Sequence, residues 1–270
     1  MPIIKNNYFF SDLHLGYPDA EETRAREKQL NQLLDQIADS AEALWFLGDI
    51  FDFWWEYKKV IPAGFSRFLG KIAEFTDAGI PVHFFSGNHD IWMKNYLTDE
   101  IGVRIHHKPL ETVIDGKNFY LAHGDALGPG DFTYKLLKKV FTNRFLQWCF
   151  ARLHPNFALF LAHSWSHGRR KKSPLPNFRS LNKELLVAHA KEVLQKKTFD
   201  YFVFGHRHIP MHFQMTEGAE FVNTGEWLSE KTFAKFGQGQ MQLLQYKSNE
   251  IKKYSFPNPE KNSYLIQKND

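Results

Sequence analysis

Tyr8-Phe9-Phe10-Ser11-Asp12-Leu13-His14 passes from three aromatic residues straight into an acid and a histidine two positions apart. The aromatic run reads as a short strand. Residues two apart in an extended chain share a face, so Asp12 and His14 would leave the strand end on the same side. Taken alone, such a tripeptide marks a turn or a helix cap more often than a metal site. The stretch after it sets the fold class. Asp19 to Ser40 carries Leu30, Leu33, Leu34 and Ile37 on one helical face, and Ala43 to Leu47 is a second strand ending in Gly48-Asp49. Phe65 to Ala78 repeats Phe68, Leu69, Ile72 and Phe75 at intervals of three and four and closes at Gly79, after which Pro81 to Phe85 delivers Gly87-Asn88-His89-Asp90. Strand, helix, strand, helix, strand predicts parallel neighbours joined by right-handed crossovers. Such α/β proteins keep their chemistry where strands end and loops begin.

Beyond Asp90 the period changes. Glu111 to Ile114 and Phe119 to Ala122 flank Asp115-Gly116, a strong hairpin signal, and the second arm runs into His123-Gly124-Asp125. From Asp131 to Lys197 the pattern is helical, broken at His154-Pro155 and by a loop from Gly168 to Pro176, which predicts an inserted cap or lid between core segments 1–130 and 198–270. Tyr201 to Phe204 is a strand ending in Gly205-His206-Arg207-His208. The remainder, punctuated by Glu217-Gly218, Gly225 and Gly237, reads as short strands of a second sheet, and the polar last ten or so residues are expected to fray.

Bulk properties narrow the class. A 270-residue chain that is 43% hydrophobic supports a large core and excludes a disordered or collagen-like chain. The single cysteine, Cys149, forms no internal disulfide, which fits a reducing compartment; between Trp148 and Phe150 it reads as a buried apolar residue. The N-terminal stretch lacks the basic-then-apolar signature of a secretory signal, and no uncharged apolar stretch approaches the roughly 20 residues that cross a bilayer. A cytoplasmic protein is expected, with attachment to a membrane surface still open. The formal charge is +4, but Asp131 to Lys197 holds 14 Lys and Arg against 3 acids, leaving the rest of the chain net negative.

Five ordered segments at strand ends change the weight of the first. Asp12, His14, Asp49, Asn88, His123, His206 and His208 are seven ligand-type side chains, enough for two metal ions sharing one carboxylate, an arrangement suited to attack at phosphorus. Asp and His suit Mn²⁺, Fe²⁺ or Zn²⁺, whereas a thiolate site needs cysteines that this chain lacks. The segments DLHL, GDIFDFW, GNHD, HGD and GHRH resemble those of the calcineurin-like metallophosphoesterases, across residues 12 to 208. More narrowly, the Phe51-Asp52 continuation, Asp125, and Val222-Asn223-Thr224-Gly225-Glu226-Trp227 are similar to the bacterial UDP-2,3-diacylglucosamine hydrolases of lipid A synthesis.

The resemblance implies a two-sheet αββα sandwich with a helical cap. It implies that Asp12, His14 and His208 hold one divalent ion, Asn88, His123 and His206 a second, and Asp49 both, with Mn²⁺ as the metal. The reaction it implies is hydrolysis, by a metal-activated water, of the pyrophosphate of UDP-2,3-diacylglucosamine to UMP and the acylated sugar 1-phosphate. His89 is then a catalytic residue, and Asp90 beside it orients it. The hydrolases usually carry Arg where this chain has His89, which leaves room for another phosphoester or a nucleotide or lipid diphosphate as substrate. By motif spacing Asp131 and Tyr134 match cap residues that contact substrate, as does Asn88 at the site itself. Arg169, Arg170, Lys171 and Lys172 are candidate phosphate or headgroup contacts.

The cap combines its charge with Phe132, Tyr134, Phe141, Phe145, Trp148 and Phe160. One reading packs the aromatics on the core and turns the lysines to water; the other makes a lid that takes acyl chains on its apolar face and phosphates on its basic rim. An acylated substrate and that rim together predict attachment to an anionic membrane, at the inner face of the inner membrane. No nucleic-acid motif accompanies the basic charge, so a nuclease is disfavoured, and no protein partner is legible. A non-catalytic scaffold of the same fold is the remaining alternative, and retention of all seven ligand types speaks against it.

Overall fold

The computed structural model describes residues 4–128, 132–161, 164, 184–215 and 218–255. Its first sheet grows outward from β1 (Asn6–Phe10), whose residues are all buried. β2 (Ala41–Phe46), β3 (Val82–Phe85) and β4 (Arg104–His106) follow in parallel, with Phe10 opposite Phe46 and Phe46 opposite Phe84. Between them run α1 (Ala20–Ile37) and α2 (Ser66–Asp77). The Asp19 carboxylate starts α1 by accepting the amide N–H of Glu21 and of Glu22. Leu30, Leu33, Leu34 and Ile37 of α1 and Phe68, Leu69, Ile72 and Phe75 of α2 are buried against this sheet. The short α3 (Tyr96–Ile101) completes that layer.

A second sheet has the order β5-β6-β7-β9-β8, with β5 (Leu110–Ile114), β6 (Lys117–Ala122), β7 (Tyr201–Phe204), β8 (Met211–Gln214) and β9 (Glu220–Asn223). Ile114 faces Lys117 across Asp115 and Gly116, both left-handed (φ 48° and 74°), as a two-residue hairpin requires. Phe9, Trp45, Leu47, Phe119, Leu121 and Val203 pack between the sheets. The result is the αββα sandwich.

The terminal strands differ from the sequence expectation. β10 (Thr232–Gly237), β11 (Gln240–Lys247) and β12 (Glu250–Lys253) join the first sheet, not the second, because β10 pairs antiparallel with β1. Alternation gave β10 two faces to bury but did not say where: Phe233 lies on the helical side, Ala234 and Phe236 between the sheets.

Residues 131–197, expected to form an inserted cap, contribute α4 (Phe132–Thr142), α5 (Arg144–Phe150), a helix over residues 155–161 (α6) and α7 (Leu185–Leu194). Leu186, Val187 and Ala190 of α7 pack on the outer face of the second sheet. α4 and α5 meet the core through an aromatic joint, in which Phe141 and Phe150 lie 5.3 and 4.6 Å from Trp92 and Trp55. Among the described residues of the segment, Phe145, Trp148 and Phe160 face solvent, at 68%, 55% and 65% exposed. Cys149 is exposed as well, contrary to the buried position expected from its neighbours, because α5 turns that whole side away from the core.

Candidate metal centre

Backbone pairing beyond the strand ends builds the site. Past β1 and β2 the two chains continue side by side: Asp12 N donates to Gly48 O (3.0 Å), His14 N to Asp49 O (3.0 Å) and Asp52 N to Leu15 O (2.8 Å). Gly205 N donates to His123 O, and Trp227 N to Asp12 O, which brings in β6, β7 and the turn after β9. The Asn223 amide, donating to Gly205 O and accepting from Gly225 N, stitches that last turn to the Gly205–His208 loop.

Space is tight at these crossings. A Cβ at Gly48 would stand 2.6 Å from His123 Nδ1, and one at Gly205 2.7 Å from Asp12 Oδ2, so only glycine fits. Asp12, His14, Asp49, His206 and His208 all have positive φ, between 43° and 68°. Left-handed backbone is costly for residues other than glycine, and its concentration here marks a site that the surrounding fold holds under strain.

The side chains converge. Asp12, His14 and His208 form one cluster of potential metal donors, and Asp49, His123 and His206 another; His14, Asp49 and His89 form a third that overlaps both. His208 Nε2 lies 3.1 Å from Asp12 Oδ1 and 3.1 Å from His14 Nε2. His123 Nε2 lies 3.4 Å from Asp49 Oδ2 and 3.3 Å from Asn88 Oδ1. Donors bound at about 2.1 Å to one octahedral ion stand about 3 Å apart, a spacing that these side chains match. Asp12 Oδ1 is buried and makes no hydrogen bond of acceptable geometry, while Oδ2 accepts from the Ser11 hydroxyl and His206 N. A buried carboxylate oxygen left open towards imidazole nitrogens is what a cation would satisfy, and the residues fit divalent metal ions.

Asp49 lies between the clusters. Its Oδ2 is 3.8 Å from His14 Nε2 as well as 3.4 Å from His123 Nε2, and its Oδ1 is held by His89 N at 2.9 Å. Burial pushes the Asp12 carboxyl up, but the neighbouring His208 and His123 outweigh it and hold it at about 2. Burial likewise opposes ionisation of Asp49, and the charges of His123 and His89 hold it well below the usual carboxylate range. Burial lowers His123, but Asp49 raises it further, to about 10, whereas burial and then His123 push His206 down to about 4.

Asp90 does not orient His89. One of its oxygens accepts from Ile50 N and Phe51 N and the other from Gly87 N, so the carboxylate clamps the Asp49 loop to the Gly87 turn. Burial, then the Asp49 charge, push it up to about 7. His89 is oriented instead by Asp52: its Nδ1 lies 3.0 Å from the Asp52 carbonyl and 3.6 Å from Asp52 Oδ1. Asp52 Oδ1 is also 3.6 Å from His14 Nδ1, on the far side of the ring from the cluster. The sequence reading missed Asp52 as a site residue, although its place three residues after Asp49 in the same turn was the available signal. Of the cap candidates, Asp131, Arg169, Arg170, Lys171 and Lys172 lie outside the described residues, and Tyr134 is placed only as a position on α4.

The sequence profile of the calcineurin-like phosphoesterases matches residues 8–210. A UDP-2,3-diacylglucosamine hydrolase of Porphyromonas gingivalis is 34% identical over 241 residues, covering 84% of this chain and 92% of its own. Hydrolases of the same name from Actinobacillus succinogenes and a Shewanella strain are 27% and 25% identical, each over 82% of this chain and 91% and 90% of their own.

Proposed function

The chain belongs to the calcineurin-like phosphoesterase family, and from that premise we propose that it hydrolyses the pyrophosphate bond of UDP-2,3-diacylglucosamine to UMP and 2,3-diacylglucosamine 1-phosphate, a step of lipid A synthesis. The convergence of Asp12, His14, Asp49, His123, His206 and His208 carries the reaction, and the similarity to the Porphyromonas enzyme carries the substrate. In this reading Asp12, His14 and His208 hold one ion, Asn88, His123 and His206 the other, and Asp49 both, with Mn²⁺ as the metal. Bound there, the ions supply Lewis acidity and a water of lowered pKa.

Attack of water at the uridine-side phosphorus breaks its bond to the bridging oxygen, and the sugar 1-phosphate leaves. His89, with Nδ1 held by Asp52, presents Nε2 to that oxygen and gives it a hydrogen bond or a proton. A cavity of about 500 Å³ beside Leu15 and Gly16, which directly follow His14, has an apolar wall of Phe53, Pro62, Phe65 and Leu159 that would take an acyl chain, and a polar side with Arg24, Glu27 and Arg67. The cap over residues 131–197 would supply the remaining contacts, from Asp131, Tyr134, Arg169, Arg170, Lys171 and Lys172.

Among the described residues no helix is long and apolar enough to cross a membrane. The exposed Phe145, Trp148 and Phe160, with Arg144 and Arg152 close to them in sequence, support seating of the cap on an anionic bilayer at the inner face of the inner membrane, with the core in the cytoplasm. His89, in place of the arginine usual among the hydrolases, favours one further reading, a different phosphoester as substrate. Purified protein with Mn²⁺, given UDP-2,3-diacylglucosamine and a simple nitrophenyl ester, separates the two. Rapid release of UMP is expected; fast ester cleavage with the UDP-sugar left intact overturns the proposal.

A further inference from the structure

α4 packs Phe141 on Trp92 but leaves other apolar residues outside and brings lysines to the core side. Leu136 and Val140 are 65% and 42% exposed, while Lys135 and Lys138 turn inward. Lys135 Nζ reaches Gly128 O at 2.8 Å, and Lys138 Nζ is 2.6 Å from Asp125 Oδ2. Asp125 is 5% exposed and stands two residues after His123, just past the end of β6. Through Asp125, the Lys138 ammonium is anchored beside the turn that carries His123, one helical turn beyond position 134. We infer that Lys138 is a substrate-positioning residue whose ammonium meets the second phosphate of a diphosphate substrate, an inference that rests on the proposed pyrophosphate hydrolysis.

Two considerations bear on that role. An ammonium has three donors, Asp125 occupies one, and the side chain is 30% exposed, so the others face the open side. A diphosphate carries a second anionic centre that a simple ester lacks, so a cation placed for it discriminates between the two.

The test measures kcat/KM of Lys138→Met, Lys138→Gln and Lys138→Arg on UDP-2,3-diacylglucosamine and on bis(p-nitrophenyl) phosphate, with metal content by elemental analysis. Lys138→Met and Lys138→Gln are expected to lose about 10- to 100-fold on the diphosphate and at least about tenfold less on the ester, at unchanged metal content. Lys138→Arg restores most of the loss. Equal losses on both substrates, a loss of metal, or a diphosphate loss under about threefold in the folded Gln variant overturns the inference. If the wild-type enzyme cleaves the ester and not the UDP-sugar, the proposed substrate falls and this inference with it; if it cleaves both and the variants do not discriminate, only the role of Lys138 falls.

Discussion

α2 of the core and α5 of the cap both space apolar residues by three and four, yet they end in opposite surroundings. Phe68 and Ile72 are fully buried between α1 and the first sheet, whereas Phe145 and Trp148 are 68% and 55% exposed. α5 is seven residues long and touches the core through Phe150, against Trp55 and Trp92. Periodicity reports that a helix has an apolar face; it does not say what covers it. A soluble core covers such a face with its own sheet. An exposed aromatic surface beside basic residues is suited to a non-aqueous partner, such as the proposed acylated substrate. In the proposed function the two regions divide the labour: the core holds the chemistry in strained, crowded loops, and the cap would offer the surface from which the lipid substrate is drawn.

The sharpest way to break that division is at the core site. Asp49→Asn should lower kcat/KM at least about a thousandfold, since Asp49 faces both ligand clusters. Dialysis against EDTA should abolish turnover and added Mn²⁺ restore it; activity that survives chelation breaks the metal reading. The second comparison is of stability. Phe46→Ala removes a 0% exposed ring from the core and should cost about 3–5 kcal/mol in urea unfolding. Phe145→Ala, in the cap, should stay within about 0.5 kcal/mol of the wild type. Similar costs at the two sites would mean that the cap is packed in solution.

A third effect is confined to the core. His83 stacks on Trp45 at 3.8 Å and has its Nδ1 2.9 Å from His106 Nε2. Burial, then His106, push its pKa down to about 3. The unfolded chain takes up this proton near pH 6.5 and the folded chain does not, so the stability is fully present above that pH and falls as pH drops towards 3. Between pH 7 and 5 the loss should be at most about 2 kcal/mol, and a His83→Gln variant should flatten the slope. A wild-type midpoint that does not move over this range contradicts the assignment. The smallest effect belongs to the cap: Phe145→Ser or Phe160→Ser should weaken sedimentation with anionic vesicles about fivefold each, more visibly at high salt. Unchanged binding in the double variant would place the membrane contact elsewhere.

How much was legible depends on which interactions are local. The β1-to-β3 crossovers and the Asp115-Gly116 hairpin were read because each depends on residues near in sequence. The ligand residues were visible as Asp, Asn and His after apolar runs. Asp90 was read as the partner of His89 and Asp52 was given no role, since a carboxylate's partner depends on which groups fold against it: Ile50, Phe51 and Gly87 claim Asp90, and His89 turns to Asp52. The sheet that β10 joins was hidden for a similar reason, because an alternating strand is compatible with any edge that buries both its faces.

Residue type and spacing by themselves determined the α/β class, the five strand-end segments and the kind of chemistry they suit, because periodicity, turn formation and ligand hardness are properties of short stretches. Only the tertiary structure decided which donors share a cluster, which carboxylate orients His89, that five of the ligand candidates sit on left-handed backbone, and that the apolar side of the cap faces outward. Those outcomes are set by long-range packing, in which the free energy of a side chain depends on what the rest of the chain has already placed beside it.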